Sequence, residues 1–332
     1  MYHDRKELIE QLEQARASKV LLYVTGDKPG WETQISPDVS DAFVDHLDSI
    51  GVVQKISLVL YTRGGNTLAA WSLANLITQF CDEFEVIIPH KCHSAGTLIS
   101  LGSHNIVMTK QATLGPIDPS VTTPLNPLVA GAQQPDARVS VSVEGVQGFI
   151  TLAKKEVGIK KDESLSNILV ELSKQIHPLV LGEVIRAREQ IQMLAKKLIV
   201  NQVTDPERVE EVIKFLTSES GSHDYTINRR EGRNLGLKIE SPDNALYSVV
   251  KDLYDDFRDE LQLNQPLDWE SYLGTDKIKD YVIKRCLLES VQGGSDYFVS
   301  EGTLSRVQLQ TPTGPQDAIN DARKFEGWRK ET

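Results

Sequence analysis

Residues 58–119 carry the pattern that decides the fold of this chain. They contain, in order, a strand ending in Tyr61-Thr62-Arg63-Gly64-Gly65-Asn66, a strand Glu85-Val86-Ile87-Ile88-Pro89, a turn His93-Ser94-Ala95-Gly96-Thr97, and the run Leu114-Gly115-Pro116-Ile117-Asp118-Pro119. Ser94 is predicted at a turn from strand to helix, which places its hydroxyl beside the free N–H groups and the positive dipole end of the helix. The order therefore predicts a serine nucleophile next to a site for negative charge.

A pair of glycines supplies the other half of this predicted site. Gly64 and Gly65 allow a sharp turn and let backbone N–H groups approach a ligand without an intervening side chain. Preorganised N–H donors of this kind stabilise the oxyanion that forms during acyl transfer. We therefore select Ser94 as the candidate nucleophile and the N–H groups of Gly65 and Ala95 as the candidate oxyanion hole.

The segments around these motifs alternate between strand and helix. Apolar runs predict strands at 20–24, 56–60, 84–89 and 105–109, and apolar residues at helical spacing predict helices at 5–16, 37–50, 68–80 and 95–102. Such alternation favours a parallel sheet with helices packed across it. Ser94 then lies at the end of a strand, where sheets of this type place their chemistry.

These motifs together resemble the serine dehydrogenase proteinase family, a relative of the Clp proteases and signal peptide peptidase A in the crotonase-like clan. The residues that carry the resemblance are Tyr61–Gly65, Pro89-His90, Ser94–Leu101, Ile106–Met108 and Leu114–Pro119. It is dense from about Val20 to Pro119, weaker through Gly236 and absent beyond. The resemblance implies an α/β, crotonase-like (Clp protease-type) fold with a repeated βα core, and a serine endopeptidase activity.

The rest of the chain predicts a helical region and a C-terminal α+β addition. We expect a protease domain at 1–240, whose helical part covers 146–240, and an addition of unknown role at 241–332. Within the addition, the pattern predicts helices at 245–261 and 275–289, short strands at 297–299 and 305–309, and a mobile polar tail from Thr311. A Pro- and Gly-rich loop at 124–138 is expected to border the substrate cleft.

Composition excludes several classes of protein. The formal net charge of −11 argues against nucleic-acid binding, because phosphate recognition needs a basic surface. No run approaches the roughly 20 apolar residues that span a bilayer, and the polar start is unlike a secretory signal. Three cysteines at unrelated spacings form no metal motif. We therefore expect a cytoplasmic protein without a metal or cofactor, in which Cys92 is a small, semi-buried structural thiol under the turn.

The general base is the open part of the predicted site. In Clp proteases a histidine lies on the strand after the nucleophile helix, whereas the corresponding position of this chain falls within Leu114–Pro119, which contains no histidine. The later Clp segment that carries the triad aspartate resembles residues 222–227, with Asp224 at the aspartate position. The neighbouring His223 is our candidate base, and Asp118 or Asp224 would then fix its tautomer.

A lysine base is the alternative, because signal peptide peptidase A uses a lysine. Lys155, or Lys154 beside it, is the candidate, and it would need desolvation to lower its pKa toward neutrality. Histidine requires the smaller shift from its ordinary pKa. His90 and His93, on either side of the turn, are expected to hold backbone groups by hydrogen bonds.

Three functions remain open from the sequence. The first is a serine peptidase that acts on a peptide or protein through an acyl-enzyme on Ser94. The second is an acyl-CoA enzyme of crotonase type, which would use the glycines but leaves the serine unexplained. The third is a non-catalytic scaffold, suggested by the missing strand histidine. Relatives in the clan assemble as trimers, tetramers or rings, which implies a homo-oligomer.

Overall fold

The computed structural model describes residues 2–129, 136–311 and 314–331. The chain forms two compact units, Met1–Leu114 together with Asn228–Thr332, and Gly115–Ile227. The first unit contains Ser94 and the second contains His223 and Asp118.

The strands of the described residues are β1 (Lys19–Thr25), β2 (Val53–Tyr61), β3 (Cys81–Ile88), β4 (Lys91–Cys92), β5 (Asn105–Met108), β6 (Thr113–Leu114), β7 (Ser120–Val121), β8 (Val141–Ser142), β9 (Ile227–Asn228), β10 (Ile239–Glu240), β11 (Ile278–Ser290), β12 (Gly294–Thr311) and β13 (Gly314–Lys330).

The helices are α1 (Tyr2–Arg16), α2 (Ser40–Ile50), α3 (Thr67–Thr78), α4 (Ala95–Leu101), α5 (Val143–Thr151), α6 (Asp162–Gln175), α7 (Pro178–Leu198), α8 (Pro206–Lys214), α9 (Arg229–Leu235), α10 (Asn244–Leu261) and α11 (Trp269–Leu273). Short 3-10 turns cover Pro37–Val39 and Ile199–Asn201, and single π turns cover Leu152–Glu156 and Phe215–Glu219.

One mixed sheet organises the first unit, in the order β10-β5-β3-β2-β1-β11-β12-β13. The strands from β10 to β1 are parallel, and those from β1 to β13 pair antiparallel. The central parallel strands are almost wholly buried, as in Val20 to Val24 of β1, because helices cover both faces of a parallel sheet. The predicted parallel α/β core is confirmed, and β2, β3 and β5 end near the motifs of the candidate site.

The core of the first unit joins α1 and α10 to the sheet. Ile9 and Leu12 of α1 and Val250 and Phe257 of α10 lie in one buried cluster with residues of β1, β2 and β11. Both helices show the apolar spacing from which they are predicted. Asp243 caps α10 by accepting a hydrogen bond from the Leu246 N–H at 2.8 Å.

Three predictions for the C-terminal addition are wrong. The predicted helix at 275–289 is strand β11, the two predicted short strands are parts of the single strand β12, and the predicted mobile tail forms β13. A bulge between Lys284 and Cys286 shifts the register of β11 against β12, and this extra residue breaks the alternation that marks a strand. The polar β13 is held through main-chain pairing with β12, which apolar patterning does not reveal.

The second unit is helical, as predicted for this region. Strands β7 and β8 form an antiparallel pair, and Val141, Val143, Val180 and Val184 form a small core with α5 and α7. In the predicted loop, the buried Asn126 side chain donates to the carbonyls of Val121 and Val139 at 2.7 and 2.8 Å. Residues 130–135 of that loop lie outside the described residues, and its position at a substrate cleft stays a prediction.

The compact units divide the chain differently from the predicted boundary at residue 240. Residues 241–332 fall in the first unit because β11 pairs with β1 from Leu22↔Glu289 to Thr25↔Cys286. The extent of the protease domain over 1–240 stays a prediction. Across the described ranges, no helix is both long and apolar enough to cross a bilayer.

Candidate active site

Ser94 lies at the residue where β4 leads into α4, as the sequence predicts. Its backbone has φ 49° and ψ −114°, a combination that L-residues rarely adopt and that costs roughly 1–3 kcal/mol. The side chain is half-buried, while the first turn of α4 behind it is fully buried. The turn therefore holds a strained serine that remains accessible.

Gly64 lies directly against this serine. A Cβ on Gly64 would be 2.6 Å from the Ser94 Cβ and 3.1 Å from its Oγ, and the φ of Gly64 is +116°. Both facts require glycine here. The sequence points to the glycine pair but does not reveal that Gly64, rather than Gly65, makes this close approach.

Gly65 is packed on its other side against Ile35. A Cβ on Gly65 would be 2.3 Å from the Ile35 carbonyl oxygen. The Ile35 N–H donates to the Gly64 carbonyl at 2.8 Å, and the Ile35 carbonyl accepts from the Asn66 N–H at 2.7 Å. These bonds form a parallel bridge between Ile35 and Gly65, which fixes the loop that carries the predicted oxyanion donor.

Two backbone N–H groups are the candidate donors of the oxyanion hole. Within the described part of the chain, the N–H groups of Gly65 and Ala95 have no hydrogen-bond acceptor. Ala95 is the first residue of α4, where a helix leaves its N–H groups unpaired. The Gly64 N–H differs, because it donates to the Thr62 Oγ1 at 3.0 Å. Gly65 and Ala95 therefore remain the candidate donors, and their role as an oxyanion hole stays a proposal.

Thr62 ties the glycine loop to the serine turn. Its N–H donates to the Lys91 carbonyl and its carbonyl accepts from the His93 N–H, both at 3.0 Å. On the serine side, a Cβ at Gly96 would lie 2.4 Å from the Thr62 Cγ2. The two halves of the site are therefore held together by main-chain bonds and close packing within the first unit.

The side chains of His90 and His93 contact other side chains, not the backbone groups that we expected. His93 Nε2 lies 2.9 Å from the Thr113 Oγ1, and burial lowers the pKa of His93 to about 4. The His90 ring stacks on Tyr254 with ring centres 5.4 Å apart, and burial lowers its pKa as well. Both imidazoles are therefore neutral at pH 7.

Cys92 is a buried thiol, in agreement with its expected structural role. Burial raises the pKa of Cys92 to about 12, so that the thiolate form is scarce at neutral pH. Its Sγ lies 3.4 Å from the Ser100 Oγ.

Sequence reasoning missed a buried carboxylate beside the serine turn. Asp27, 5% exposed, contacts Lys91 Nζ at 2.5 Å, Arg63 Nη1 at 3.3 Å and the Tyr61 hydroxyl at 3.1 Å. Arg63 precedes Gly64, and Lys91 lies three residues before Ser94. No local sequence pattern predicts this cluster, because only the pairing of β1 with β2 brings Asp27 close to Arg63 and Lys91.

The predicted base and one of its predicted partners meet in the second unit. His223 Nδ1 lies 2.7 Å from Asp118 Oδ1. The Asp118 side chain is 3% exposed and that of His223 is 55% exposed. The hydrogen bond to Asp118 raises the pKa of His223, and the charges of Asp224 and Glu144 act in the same direction. Within the described residues, Nε2 of this exposed imidazole has no hydrogen-bond partner, so it can accept a proton.

The alternative partners and bases have different surroundings. Asp224 is exposed, and its backbone N–H donates to the Ser222 Oγ at 3.2 Å. Lys154 and Lys155 lie on the π turn after α5, and both are exposed in the single chain. Neither lysine has the desolvated surroundings that a lysine base needs. Among the residues that the structure describes, no cluster of His, Cys, Asp or Glu could hold a metal ion.

Similar proteins are found among both curated and solved proteins. The chain is 29% identical over 186 residues to the uncharacterized protein MJ0137 of Methanocaldococcus jannaschii, covering 56% of this chain and 54% of that protein. It is 28% identical over 186 residues to MJ1495 of the same organism, covering 56% and 52%. The chain thus spans about half the length of the curated relatives that it matches.

Among solved structures, similarity is found to an alanine mutant of the 1510-N membrane-bound stomatin-specific protease, with a TM-score of 0.39 and 15% identity over 73% of this chain and 86% of that one. ClpP1 from Listeria monocytogenes gives a TM-score of 0.37 and 14% identity over 70% of this chain and 98% of that one.

A family model describes the region that contains the candidate site. The ClpP-like SDH-type serine proteinase model matches residues 38–260, well over half of the chain. The match includes Ser94, Asp118 and His223. It continues to residue 260, so the expectation that the resemblance is absent beyond Gly236 is wrong. It confirms the predicted family and the crotonase-like, Clp protease-type α/β fold. This chain belongs to the family of ClpP-like SDH-type serine proteinases.

Proposed function

We propose that this chain is a serine endopeptidase that hydrolyses peptide bonds through an acyl-enzyme on Ser94. The observation that carries the proposal is the serine turn: Ser94 has φ 49° and abuts Gly64, and the N–H groups of Gly65 and Ala95 are unoccupied within the described residues. Strained residues of this kind cluster at active sites. Membership in a serine proteinase family supports the same reaction.

The reaction begins with activation of the serine. His223 Nε2 takes the proton from the Ser94 hydroxyl as Oγ attacks the carbonyl carbon of the substrate. Asp118 accepts a hydrogen bond from the Nδ1–H of His223, which fixes the tautomer of the imidazole and stabilises the imidazolium that forms. The tetrahedral oxyanion is stabilised by the N–H groups of Gly65 and Ala95.

The second half of the reaction releases both products. The His223 imidazolium gives its proton to the leaving amine as the C–N bond breaks, which leaves an acyl ester on Ser94. Neutral His223 then takes a proton from water as the water oxygen attacks the ester. Collapse of the second tetrahedral intermediate returns the proton to the Ser94 Oγ and releases the carboxylic acid.

Histidine is the better candidate base than lysine. The His223 imidazole needs no desolvation to titrate near neutrality, and a buried carboxylate already orients it. Lys154 and Lys155 are exposed in the single chain, and neither has the buried surroundings that a lysine base requires.

The substrate class and the assembly are parts of the same proposal. We propose a peptide or protein substrate and a homo-oligomer, with no nucleic-acid partner, in a cytoplasmic setting. The formal net charge of −11 supports the exclusion of nucleic acid.

Hydrolysis of an unfolded, fluorescently labelled protein by purified wild-type chain and by Ser94→Ala tests the proposal. The wild type should release small fragments, and Ser94→Ala should release none while retaining its circular dichroism spectrum. Equal hydrolysis by both proteins would overturn the serine mechanism. Hydrolysis of an acyl-CoA thioester but of no protein substrate would favour a thioester enzyme instead.

A further inference from the structure

The segment between β1 and α2 braces the glycine loop. Through Ile35 it forms two main-chain hydrogen bonds with Gly64 and Asn66, at 2.8 and 2.7 Å. The fit is tight, because a Cβ on Gly65 would lie 2.5 Å from the Ile35 nitrogen. We call residues 26–36 the bracing segment. Its position therefore constrains the backbone of Gly65.

Arg285 of β11 holds the bracing segment through its main chain. Its Nε donates to the Trp31 carbonyl at 3.0 Å, and its Nη2 donates to the Glu32 carbonyl at 2.8 Å. Its own carbonyl accepts from the Thr33 Oγ1 at 3.0 Å. The side chain and main chain of Arg285 therefore hold three consecutive residues, Trp31, Glu32 and Thr33. Thr33 lies two residues before Ile35 in the same segment.

The guanidinium of Arg285 is itself fixed in place. It forms an ion pair with Glu326 of β13 at 3.0 Å and donates to the Ser300 Oγ of β12 at 3.1 Å. It also lies over the Trp31 ring, 5.2 Å from the centroid. The planar fork of arginine suits such divided bonding, which a lysine ammonium cannot reproduce.

Gly26, at the start of the bracing segment, bonds to Thr33 and packs against β11. The Gly26 N–H donates to the Thr33 Oγ1 at 2.6 Å, and the Thr33 N–H donates to the Gly26 carbonyl at 3.0 Å. A Cβ on Gly26 would lie 2.1 Å from the Arg285 carbonyl oxygen. The bracing segment is thus a loop that is closed by hydrogen bonds between Gly26 and Thr33 and packed against β11.

We propose that Arg285 is a positioning residue for the oxyanion hole, acting through the bracing segment on Gly65. This inference rests on the proposed serine peptidase function. Both the bracing segment and β11 lie outside the family-matched residues 38–260. The C-terminal addition therefore has a role in the reaction of this chain, which it performs without contacting the substrate.

Loss of Arg285 should affect turnover more than substrate binding. The oxyanion exists only in the transition state, so a displaced donor lowers kcat and leaves KM nearly unchanged. A misplacement of about 1 Å can lower the rate by about 10²-fold. We expect Arg285→Ala to lower kcat by about 10- to 100-fold on the same basis.

Arg323→Ala is the matched control. Arg323 also lies over the Trp31 ring, at 4.5 Å, and also pairs with Glu326. Its hydrogen bonds go to side chains of Tyr281, Ser300, Asp321 and Glu326, not to the main chain of the bracing segment. This variant removes the same charge and the same ring contact, and its kcat should stay within about twofold of wild type.

Chemical rescue separates positioning from general loss of structure. The Arg285 side chain is 14% exposed and lines a cavity of about 320 Å³, so a small guanidinium can occupy the space that Arg285→Ala vacates. Ethylguanidinium should restore much of the lost kcat in Arg285→Ala, and ethylammonium should not. Neither compound should raise the kcat of Arg323→Ala.

A second variant keeps the test decisive if Arg285→Ala fails to fold. Thr33→Val conserves side-chain volume but removes the hydroxyl that joins Gly26 to Arg285, and it should also lower kcat with little change in KM. If Thr33→Val and a folded Arg285→Ala keep the kcat of wild type, or if KM alone changes, the positioning role is wrong. If wild type itself shows no Ser94-dependent hydrolysis, the proposed function fails, and this inference fails with it.

Discussion

His223 Nδ1 lies 2.7 Å from Asp118 Oδ1, although 105 residues separate the two in the chain. The carboxylate is buried and the imidazole is half-exposed, so the proton on Nδ1 is held and Nε2 remains available. The resemblance to Clp proteases predicts a histidine within residues 114–119, and this segment contains Asp118 and no histidine. In the predicted site, the carboxylate therefore comes before the imidazole in the sequence.

This pair predicts the pH dependence of activity. The hydrogen bond to Asp118 raises the pKa of His223, and only the neutral imidazole can take a proton. Activity should therefore fall as the pH drops through a value above the ordinary histidine pKa of roughly 6.5. In Asp118→Asn that midpoint should move to lower pH, and the plateau rate should fall because the tautomer is no longer fixed. The profile of kcat/KM against pH measures both, and an unchanged midpoint in Asp118→Asn would refute the assignment.

The contact between Gly64 and Ser94 predicts that even a methyl side chain at position 64 will inactivate the serine. In Gly64→Ala the new Cβ would lie 2.6 Å from the Ser94 Cβ at a φ of +116°, so the serine must move. We expect the rate of fluorophosphonate labelling to fall by about 10²-fold. Gly51→Ala is the matched control, since Gly51 has φ +75° and open space around it. It should lose stability by about 1 kcal/mol and keep its labelling rate, and equal labelling of the two variants would contradict the geometry.

The backbone conformation of Ser94 predicts that glycine at this position gives a more stable protein than alanine. With φ 49° and ψ −114°, Ser94→Gly should relieve strain that Ser94→Ala retains. The strain costs roughly 1–3 kcal/mol, and the greater unfolded-state entropy of glycine offsets part of the gain. The free energy of unfolding of Ser94→Gly should therefore exceed that of Ser94→Ala by on the order of 1 kcal/mol. Urea denaturation of the two inactive variants measures it. Equal free energies of unfolding would mean that the turn stores no strain.

The exposed apolar residues of α6 support the proposed homo-oligomer. All fourteen residues of this helix are at least partly exposed, and Leu169 and Val170 are each 53% exposed. Light scattering should give a mass that is a multiple of the 37.0 kDa chain mass, and Leu169→Glu should lower the measured mass. Asn167→Glu makes the same charge change on roughly the opposite side of the helix and should leave the measured mass unchanged. A monomer mass together with full activity would exclude the assembly.

Much of the fold can be predicted because its core strands are continuous apolar runs. Val20 to Val24 and Leu58 to Tyr61 are buried on both faces of the sheet, and their sequence shows it. The bulge after Lys284 hides β11, and β13 depends on main-chain pairing that side-chain patterns do not encode. Local motifs likewise predict Ser94, Gly65 and Ala95.

The rest of the candidate site depends on contacts between distant residues. Asp27 reaches Lys91 only after β1 and β2 have paired, and Ile35 reaches Gly65 only through the folded bracing segment. Neither position carries a local signal. From the roles that a triad requires, the sequence predicts either Asp118 or Asp224 as the hydrogen-bond partner of His223. In the structure the Asp118 carboxylate makes this contact, at 2.7 Å.

Covalent labelling with a fluorophosphonate, followed by intact mass and peptide mapping, tests the central claim most directly. The wild-type chain should gain one adduct, mapped to Ser94, and Ser94→Ala should gain none. His223→Gln should label about 10²- to 10⁴-fold more slowly, while Lys155→Met, which keeps the side-chain length but removes the amine, should label at the wild-type rate. An adduct on another residue, no adduct at all, or slow labelling of Lys155→Met with normal labelling of His223→Gln would contradict the account.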